Sequence, residues 1–304
     1  MSLIVTGTLG IDTVETPTGS AERVPGGSAS YFCAAASAQG PVRLVGAVGE
    51  DWPDDHRAAL AAFPNVDLAG LEQRSGSRTF AWGGRYLENM NERETLFTEL
   101  GVLEEAPPPV PEAFVDSELV FLANSHPAVQ KSFLEQFPHR TLSVVDSMDL
   151  WIEIAKPELH AVIEAVDGVL LNDSEVQQLT GIGNPYSAAH ELLQMGPSFV
   201  IVKKGEHGAV LVHREGTVVV PAYPVPLEGV VDPTGAGDSF AGGFMAYLER
   251  TGDLGFNSLR NALGWGTVTA SFTLEQFGLE GLRDLDLPKL TTRFDQLVEI
   301  TRLG

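Results

Sequence analysis

The sequence is short of basic residues and of cysteine. Among its 304 residues, 19 are lysine or arginine and 41 are aspartate or glutamate, so the formal net charge is −22 at pH 7. Proteins that bind nucleic acid or anionic membrane surfaces rely on clustered Lys and Arg, so this balance argues against both kinds of partner. Any polyanion that binds here must be held by local groups against the field of the whole chain.

Sequence features of secreted and membrane proteins are also missing. Cys33 is the only cysteine, which excludes an internal disulfide and fits a reducing compartment. Because it lies in a run of small, apolar residues, we predict that it is a buried packing residue. The N-terminus has no basic segment followed by an apolar one, and no apolar run approaches the ~18 residues of a membrane span. These absences predict a cytoplasmic protein.

Common nucleotide and metal motifs are absent too. There is no GxxxxGK[ST] loop, and the GxGxxG pattern fails because Phe240 stands at its last position. The seven histidines show no HExxH spacing. These absences disfavour a NAD-dependent dehydrogenase and a zinc enzyme.

The pattern of apolar runs predicts an α/β fold. From Leu119 onward, short apolar strands alternate with helices, which is typical of a mostly parallel sheet covered on both faces. Ligands of such sheets lie at the carboxyl ends of the strands. Residues 13–24 and 67–99 have β character instead and predict a small accessory sheet. Three aromatic residues of the second range alternate as on one strand face: Phe80, Trp82 and Tyr86.

One glycine-rich segment carries the chemistry. Residues 230–240 read VVDPTGAGDSF, and a helix is expected to begin within Gly235, Ala236 and Gly237. Small residues at a helix start leave backbone N–H groups uncovered, and these groups bind anions together with the helix dipole. A carboxylate beside such a site does not bind the anion. Asp238 therefore suits a general base that takes a proton from a hydroxyl attacking a phosphoryl group.

The segment closely resembles the C-terminal signature of the ribokinase-like (PfkB-type) carbohydrate kinases. Other stretches match in the family's order over nearly the whole chain: GGSASYFCAA from Gly26, GAVG from Gly46 with Asp51 downstream, Asn65-Val66-Asp67, the N-x-x-E element Asn172 to Glu175, and VKKGEHGA from Val202. The resemblance implies one Rossmann-like α/β domain over residues 1–304. It also implies a β-sheet lid within about residues 13–24 and 67–99.

The resemblance further implies ATP-dependent phosphorylation of an alcohol. Asp238 would be the base, with Gly235, Ala236 and Gly237 as the anion hole. Asn172 and Glu175 would help to place Mg²⁺ through water, although the pair alone also fits a helix cap. The remaining nucleotide contacts would come from Lys203, Gly205, Gly208, Thr234, Asn261 and Gly264. Asp232 and Thr234 stand where many relatives bind a monovalent cation such as K⁺.

On the substrate side, Asp12 matches the aspartate with which relatives grip sugar hydroxyls, and Gly26 and Gly27 would let the backbone approach. Relatives often carry GGKGAN, and Tyr31 stands at the position of its final Asn. The polar contact of that Asn is lost, moved to Ser28 or Ser30, or replaced by ring stacking. This departure puts ribose or fructose as the substrate in doubt.

Several functional hypotheses remain open at this stage. The first is phosphorylation of a neutral sugar. A nucleoside is the alternative, since Tyr31 and the aromatic residues of the lid could hold a base, although such residues also pack lids and dimer interfaces. A non-catalytic sugar- or nucleotide-binding regulator is a further reading, which the intact Asp238 disfavours. A homodimer through the lid is also expected.

Overall fold

The computed structural model describes residues 1–302 as two sheets with helices on both sides of the larger one. The strands are β1 (Leu3–Thr6), β2 (Gly10–Thr16), β3 (Gly19–Gly26), β4 (Val42–Gly49), β5 (Val66–Arg74), β6 (Phe80–Tyr86), β7 (Arg93–Glu99), β8 (Leu119–Leu122), β9 (Leu142–Asp146), β10 (Gly168–Asn172), β11 (Phe199–Lys203), β12 (Ala209–His213) and β13 (Gly216–Val220).

The helices follow the strand-and-helix alternation that the sequence predicts. They are α1 (Ser28–Ser37), α2 (Asp54–Ala61), α3 (Pro127–Leu134), α4 (Asp149–Ile154), α5 (Lys156–Ile163), α6 (Asp173–Thr180), α7 (Pro185–Leu193), α8 (Ala236–Thr251), α9 (Phe256–Thr273) and α10 (Leu287–Thr301). None of the helices described over residues 1–302 combines the length and apolar character that a membrane span requires.

The large sheet has nine strands in the order β13-β12-β11-β10-β9-β8-β1-β4-β5. The seven strands from β11 to β5 run parallel, and β12 and β13 extend the sheet antiparallel at one edge. Its central strands are continuous apolar runs because helices cover both faces. Two buried clusters, one on each face, form the core. The predicted α/β fold class is confirmed.

The small sheet has four strands in the order β3-β2-β6-β7. Strand β2 pairs antiparallel with β3 and parallel with β6, and β6 pairs antiparallel with β7. Two distant segments of the chain therefore build this sheet together. Every residue of β7, at its edge, is exposed.

Two sequence expectations need correction. Residues 67–74 do not belong to the small sheet, because β5 pairs parallel with β4 at the edge of the large sheet and packs Leu68 and Leu71 on its core. The sequence of residues 150–165 also predicts a single helix, whereas the structure has two helices there, α4 and α5. The chain leaves helical geometry at Ala155, and Pro157, in the first turn of α5, cannot donate the backbone hydrogen bond that a continuous helix needs.

Candidate active site

The start of α8 forms the centre of the site. Gly235 is its N-cap residue and has φ 74°, a left-handed conformation that favours glycine. A Cβ at Gly235 would also overlap the ring of Tyr31, which packs directly on this turn. Within residues 1–302, the amides of Gly235 and Gly237 have no hydrogen-bond acceptor, whereas Ala236 donates to the Pro233 carbonyl at 3.2 Å. Two of the three amides expected in the anion hole are therefore free to bind an anion.

Asp238 lies in the first turn of α8 and is half-buried. Burial is the main reason that its pKa rises to about 7, and the neighbouring Asp146 raises it further while Lys203 opposes the rise. A carboxylate with a pKa near neutrality is suited to accept a proton in one step of a reaction and release it afterwards. The geometry thus matches the role of general base that the sequence predicts.

A buried ion pair adjoins this helix start. Lys203, at the end of β11, places its Nζ 2.6 Å from Oδ2 of Asp146, at the end of β9. The Nζ also lies 3.2 Å from the position that a Cβ on Gly237 would take. Burial disfavours the charge on Lys203, yet Asp146 and Glu175 together raise its pKa, so the lysine is held as a cation beside the anion hole.

Sequence analysis missed Asp146. A carboxylate that closes a buried strand at the carboxyl edge of a parallel sheet is the signal that could have identified it. Its neighbours carry none of the glycines that mark the α8 motif, so the residue stands out only once strand order is known.

Asn172 and Glu175 form a reciprocal helix cap. The Asn172 side chain accepts from the Glu175 amide at 2.8 Å, and Glu175 Oε2 accepts from the Asn172 amide at 2.7 Å. Asn172 is paired with Lys203 across β10 and β11, which places the cap beside the ion pair. Burial raises the pKa of Glu175 to about 8, against the influence of Lys203. The capping role is thus observed, and a contact with Mg²⁺ stays a prediction.

The donor set bears on how Mg²⁺ would be held. No group of three or more His, Cys, Asp or Glu side chains suited to a metal ion occurs in the described part of the chain. Mg²⁺ is commonly held by one or two carboxylates together with waters and substrate phosphates. Glu175 fits a site of this kind, in which one carboxylate holds Mg²⁺ together with waters and the phosphates of the nucleotide.

Four of the predicted nucleotide residues lie in two places, the turn between β11 and β12 and helix α9. Gly205 and Gly208 both have positive φ, 52° and 83°, in the turn between β11 and β12, and a Cβ on Gly208 would overlap the Val220 carbonyl. Asn261 is exposed on α9. Gly264 is buried there, with the position of its missing Cβ 2.8 Å from the Phe294 ring of α10. The glycine turn is shaped as expected, and contact of Asn261 or Gly264 with adenine stays a prediction.

Asp12 lies on β2 of the small sheet, near the carboxylates of Asp232 and Asp238. It is 4% exposed, and its Oδ1 has no hydrogen-bond partner within the described residues. Burial raises its pKa to about 7, the Gly27 amide opposes the rise, and Asp232 and Asp238 add to it. A Cβ on Gly26 would overlap the carboxylate, so glycine is required there. Gly27, with φ 90°, allows the chain to pass close to Thr8.

Ser30 and Tyr31 lie near the start of α1. Both are almost fully buried, and neither side-chain hydroxyl has a partner among residues 1–302. Burial raises the pKa of Tyr31 well above its usual value, and Asp232, Asp12 and Asp238 contribute to the rise. The phenol hydroxyl therefore lies among the carboxylates of the cleft, while its ring supports Gly235.

The expected cation position is occupied by internal hydrogen bonds. Asp232 is buried and accepts from the Thr234 amide at 2.8 Å and from the Gly278 amide at 3.2 Å. Its carboxylate therefore shapes the loop before Gly235. Bonding of K⁺ at Asp232 or Thr234 stays a prediction.

The small sheet touches the anion-hole loop through an aromatic residue. Tyr86, at the end of β6, lies 3.3 Å from Thr234 Oγ1 through its hydroxyl. Phe80 and Trp82 share its face of the strand, and the Trp82 ring covers Gly84. This contact joins the small sheet, which also carries Asp12, to the loop before the anion hole.

Comparisons with known proteins identify the family of this chain. Residues 5–282 match the model of the pfkB family carbohydrate kinases. A cytidine kinase from Thermococcus kodakarensis is 30% identical over 254 residues, which cover 82% of this chain and 89% of that protein.

Two solved structures share the fold. The nucleoside kinase from Methanocaldococcus jannaschii has a TM-score of 0.77 at 20% identity, over 97% of this chain and 99% of its own. Aminoimidazole riboside kinase from Salmonella enterica, complexed with aminoimidazole riboside and an ATP analogue, also has a TM-score of 0.77 at 20% identity, over 97% of this chain and 100% of its own. The predicted family and ribokinase-like fold are confirmed: this chain belongs to the pfkB family of carbohydrate kinases, enzymes that phosphorylate hydroxyl groups.

Proposed function

We propose that this protein transfers the γ-phosphoryl group of ATP, bound with Mg²⁺, to a hydroxyl of a nucleoside. The observation that carries the proposal is the pair of neighbouring carboxylates, buried Asp12 on β2 and half-buried Asp238 on α8, since the charge of Asp238 raises the pKa of Asp12. One of them has an oxygen without a partner, and the other begins a helix with free amides.

Each residue has a separate task in this reaction. Asp12 accepts hydrogen bonds from neighbouring hydroxyls of the acceptor, a task for which a carboxylate and a vicinal diol are matched. Asp238 takes the proton of the attacking hydroxyl as its oxygen bonds to the γ-phosphorus, and the bond from that phosphorus to the bridging oxygen of ADP breaks. The amides of Gly235 and Gly237, with Lys203, stabilise the charge on the phosphoryl oxygens.

A nucleoside is favoured by the relationship to the cytidine kinase, which spans most of both chains. A neutral sugar is the second candidate. A sugar is favoured by the burial of Tyr86, which is only 8% exposed and whose hydroxyl contacts Thr234. The ring of Tyr86 is therefore not available to stack on a nucleobase. A phosphorylated acceptor is disfavoured because five carboxylates surround the cleft: Asp12, Asp146, Glu175, Asp232 and Asp238.

The direct test offers MgATP with panels of nucleosides and free sugars and detects ADP release together with the mass of one added phosphoryl group. We expect turnover with a nucleoside and none in the Asp238→Asn variant. Turnover with sugars but with no nucleoside would show that the acceptor is a neutral sugar, the second candidate. If wild type phosphorylates no alcohol while Asp238→Asn binds MgATP as tightly as wild type, the proposed reaction is wrong.

A further inference from the structure

The cleft has an unusual balance of charge for a site that handles a triphosphate. Among residues 1–302, two cations lie close enough to Asp238 to influence its charge, Lys203 and Arg93. Lys203 already forms an ion pair with Asp146 at 2.6 Å. The second cation, Arg93, lies on the small sheet, outside every motif that identifies the family.

The pairing of β6 with β7 places Arg93 near the loop that leads to the anion hole. It begins β7 and lies opposite Tyr86 in the register of β6 and β7. The Tyr86 hydroxyl touches Thr234, one residue before Gly235. The end of the small sheet that holds Arg93 is thus the end that contacts the loop before the free amides.

The guanidinium of Arg93 makes little use of its five donors in this arrangement. Its nearest carboxylate is Asp149, at 3.9 Å, too far for a hydrogen bond, and its carbon lies 6.0 Å from the centre of the Trp82 ring. The side chain is 39% exposed. Arg85 on the neighbouring strand differs, because it bonds Glu15 at 2.6 Å.

We propose that Arg93 is a catalytic residue of this kinase, which leaves Asp149 and bonds the phosphoryl group while that group passes from ATP to the acceptor. The inference rests on the proposed function. A guanidinium presents two parallel N–H groups to two phosphoryl oxygens, which suits a group whose charge is spread over three oxygens. Because the residue belongs to the small sheet, the contact forms only where the two sheets meet.

The kinetic test compares Arg93→Met and Arg93→Lys with the control Arg85→Met, on the same sheet. We expect kcat to fall at least ~100-fold in Arg93→Met, with a partial recovery in Arg93→Lys, while Arg85→Met keeps the wild-type rate. Asp149→Asn distinguishes two roles of Arg93, contact with the phosphoryl group and a structural ion pair with Asp149. It should keep wild-type kcat, and equal losses in Asp149→Asn and Arg93→Met would overturn the proposal.

A binding measurement distinguishes failure of this inference from failure of the proposed function. MgADP alone should bind wild type and Arg93→Met equally. MgADP with aluminium fluoride, a mimic of the transferring group, should bind wild type much more tightly than MgADP, and Arg93→Met should lose that gain. If wild type gains and Arg93→Met gains as much, Arg93 does not contact the group. If wild type does not bind MgADP at all, the proposed function itself fails.

The pH profile supplies a readout that a purely structural role would not move. The charged groups that face Asp238 are Asp146 on β9, Lys203 on β11, Asp12 on β2 and Arg93 on β7. Burial sets most of the raised pKa of Asp238, and Arg93 lowers it. The acidic limb of kcat should therefore shift to higher pH in Arg93→Met and stay in place in Arg93→Lys. A limb that stays in place in both variants contradicts the placement of Arg93.

Discussion

At the scale of single residues, Tyr31 has two distinct contacts with the site. Its ring fills the space against Gly235, and its hydroxyl is buried among carboxylates without a partner in residues 1–302. A buried polar group without a partner costs stability. Such a cost is typical of a residue retained for a ligand.

Tyr31→Phe tests that interpretation. Removing the unpaired hydroxyl should raise the free energy of unfolding of the ligand-free protein by about 1 kcal/mol. If the hydroxyl bonds the acceptor, KM for the acceptor should rise about tenfold with kcat little changed. Urea unfolding and steady-state kinetics measure the two effects. A lower free energy of unfolding in Tyr31→Phe would show that the hydroxyl has a partner.

The pH dependence of the reaction belongs to Asp238. Its pKa is raised to about 7, and only its ionised form can accept a proton. We therefore expect kcat to rise with pH through about 7 and then to level off. Asp238→Asn should reduce kcat by at least ~1000-fold at every pH, with the dissociation constant for MgATP nearly unchanged. A rate independent of pH between 5.5 and 8.5 would contradict the assignment.

Some site residues are neighbours in one sequence motif, whereas others are far apart in the chain. Gly235, Gly237 and Asp238 are neighbours in one motif, so the sequence predicts their helix start correctly. Asp146 meets Lys203 across 57 positions of the chain, and their pairing depends on β9 and β11 flanking the same strand. No spacing rule relates two such positions before the sheet order is known.

At the scale of elements, the pair Lys203–Asp146 joins two strands that are not hydrogen-bonded to each other. It bridges β9 and β11 across the end of β10, beside the cap of α6. Asp146 has only 4% of its side chain exposed, so loss of its partner would leave a charge buried.

Lys203→Met should therefore lower the free energy of unfolding by about 3 kcal/mol. The double variant Lys203→Met/Asp146→Leu should recover most of that loss, because it removes both charges together. Chemical denaturation of the two single variants and the double variant gives the coupling energy directly. Additive losses would mean that the two side chains are not coupled in the folded protein.

Gly26 offers a second test between elements. It ends β3, and a side chain there would displace the Asp12 carboxylate on β2. Gly26→Ala should raise KM for the acceptor at least tenfold and leave the dissociation constant for MgATP unchanged. Gly183→Ala is the control, because a Cβ there would meet only Gln177 Nε2, at an ordinary contact distance of 3.7 Å. An unchanged KM in Gly26→Ala would separate Asp12 from acceptor binding.

Sequence patterns identify strands and helices here, but they do not predict which sheet a strand joins. Alternation of polar and apolar residues identifies β5 and β6 as strands, but the same pattern fits either sheet. The pairing of β4 with β5 and of β2 with β6 decides the matter, and both pairings are long-range. Helix α4 ends early for a local reason, the proline after Ala155, which the periodicity alone does not show.

At the scale of the whole molecule, the net charge of −22 and the raised carboxyl pKa values act in the same direction. Asp12 and Asp238 have pKa values of about 7 and Glu175 of about 8, all above their ordinary values of 3.8 and 4.5. Between those limits the folded protein holds protons that the unfolded chain has lost. The free energy of unfolding must then fall as pH rises through this window.

We expect the Tm of the ligand-free protein to be higher near pH 5.5 than near pH 8, by several degrees. Calorimetry across this range measures the slope, and Asp238→Asn should flatten it because one of the raised groups is removed. A Tm that increases with pH would show that these carboxyls are ionised without penalty in the folded state.

The location of Asp12 has one more consequence, which concerns wasted ATP. Asp12 belongs to the small sheet, whereas Asp238 belongs to the helix on the large one, and the free oxygen of Asp12 is buried. On the proposed function, an acceptor can reach Asp12 only if the buried oxygen first becomes accessible, so binding requires a rearrangement around Asp12. An acceptor bound in this way would also take the place of water beside Asp238. We therefore expect slow hydrolysis of ATP only in the absence of an acceptor, because the acceptor hydroxyl would otherwise replace water as the nucleophile beside Asp238.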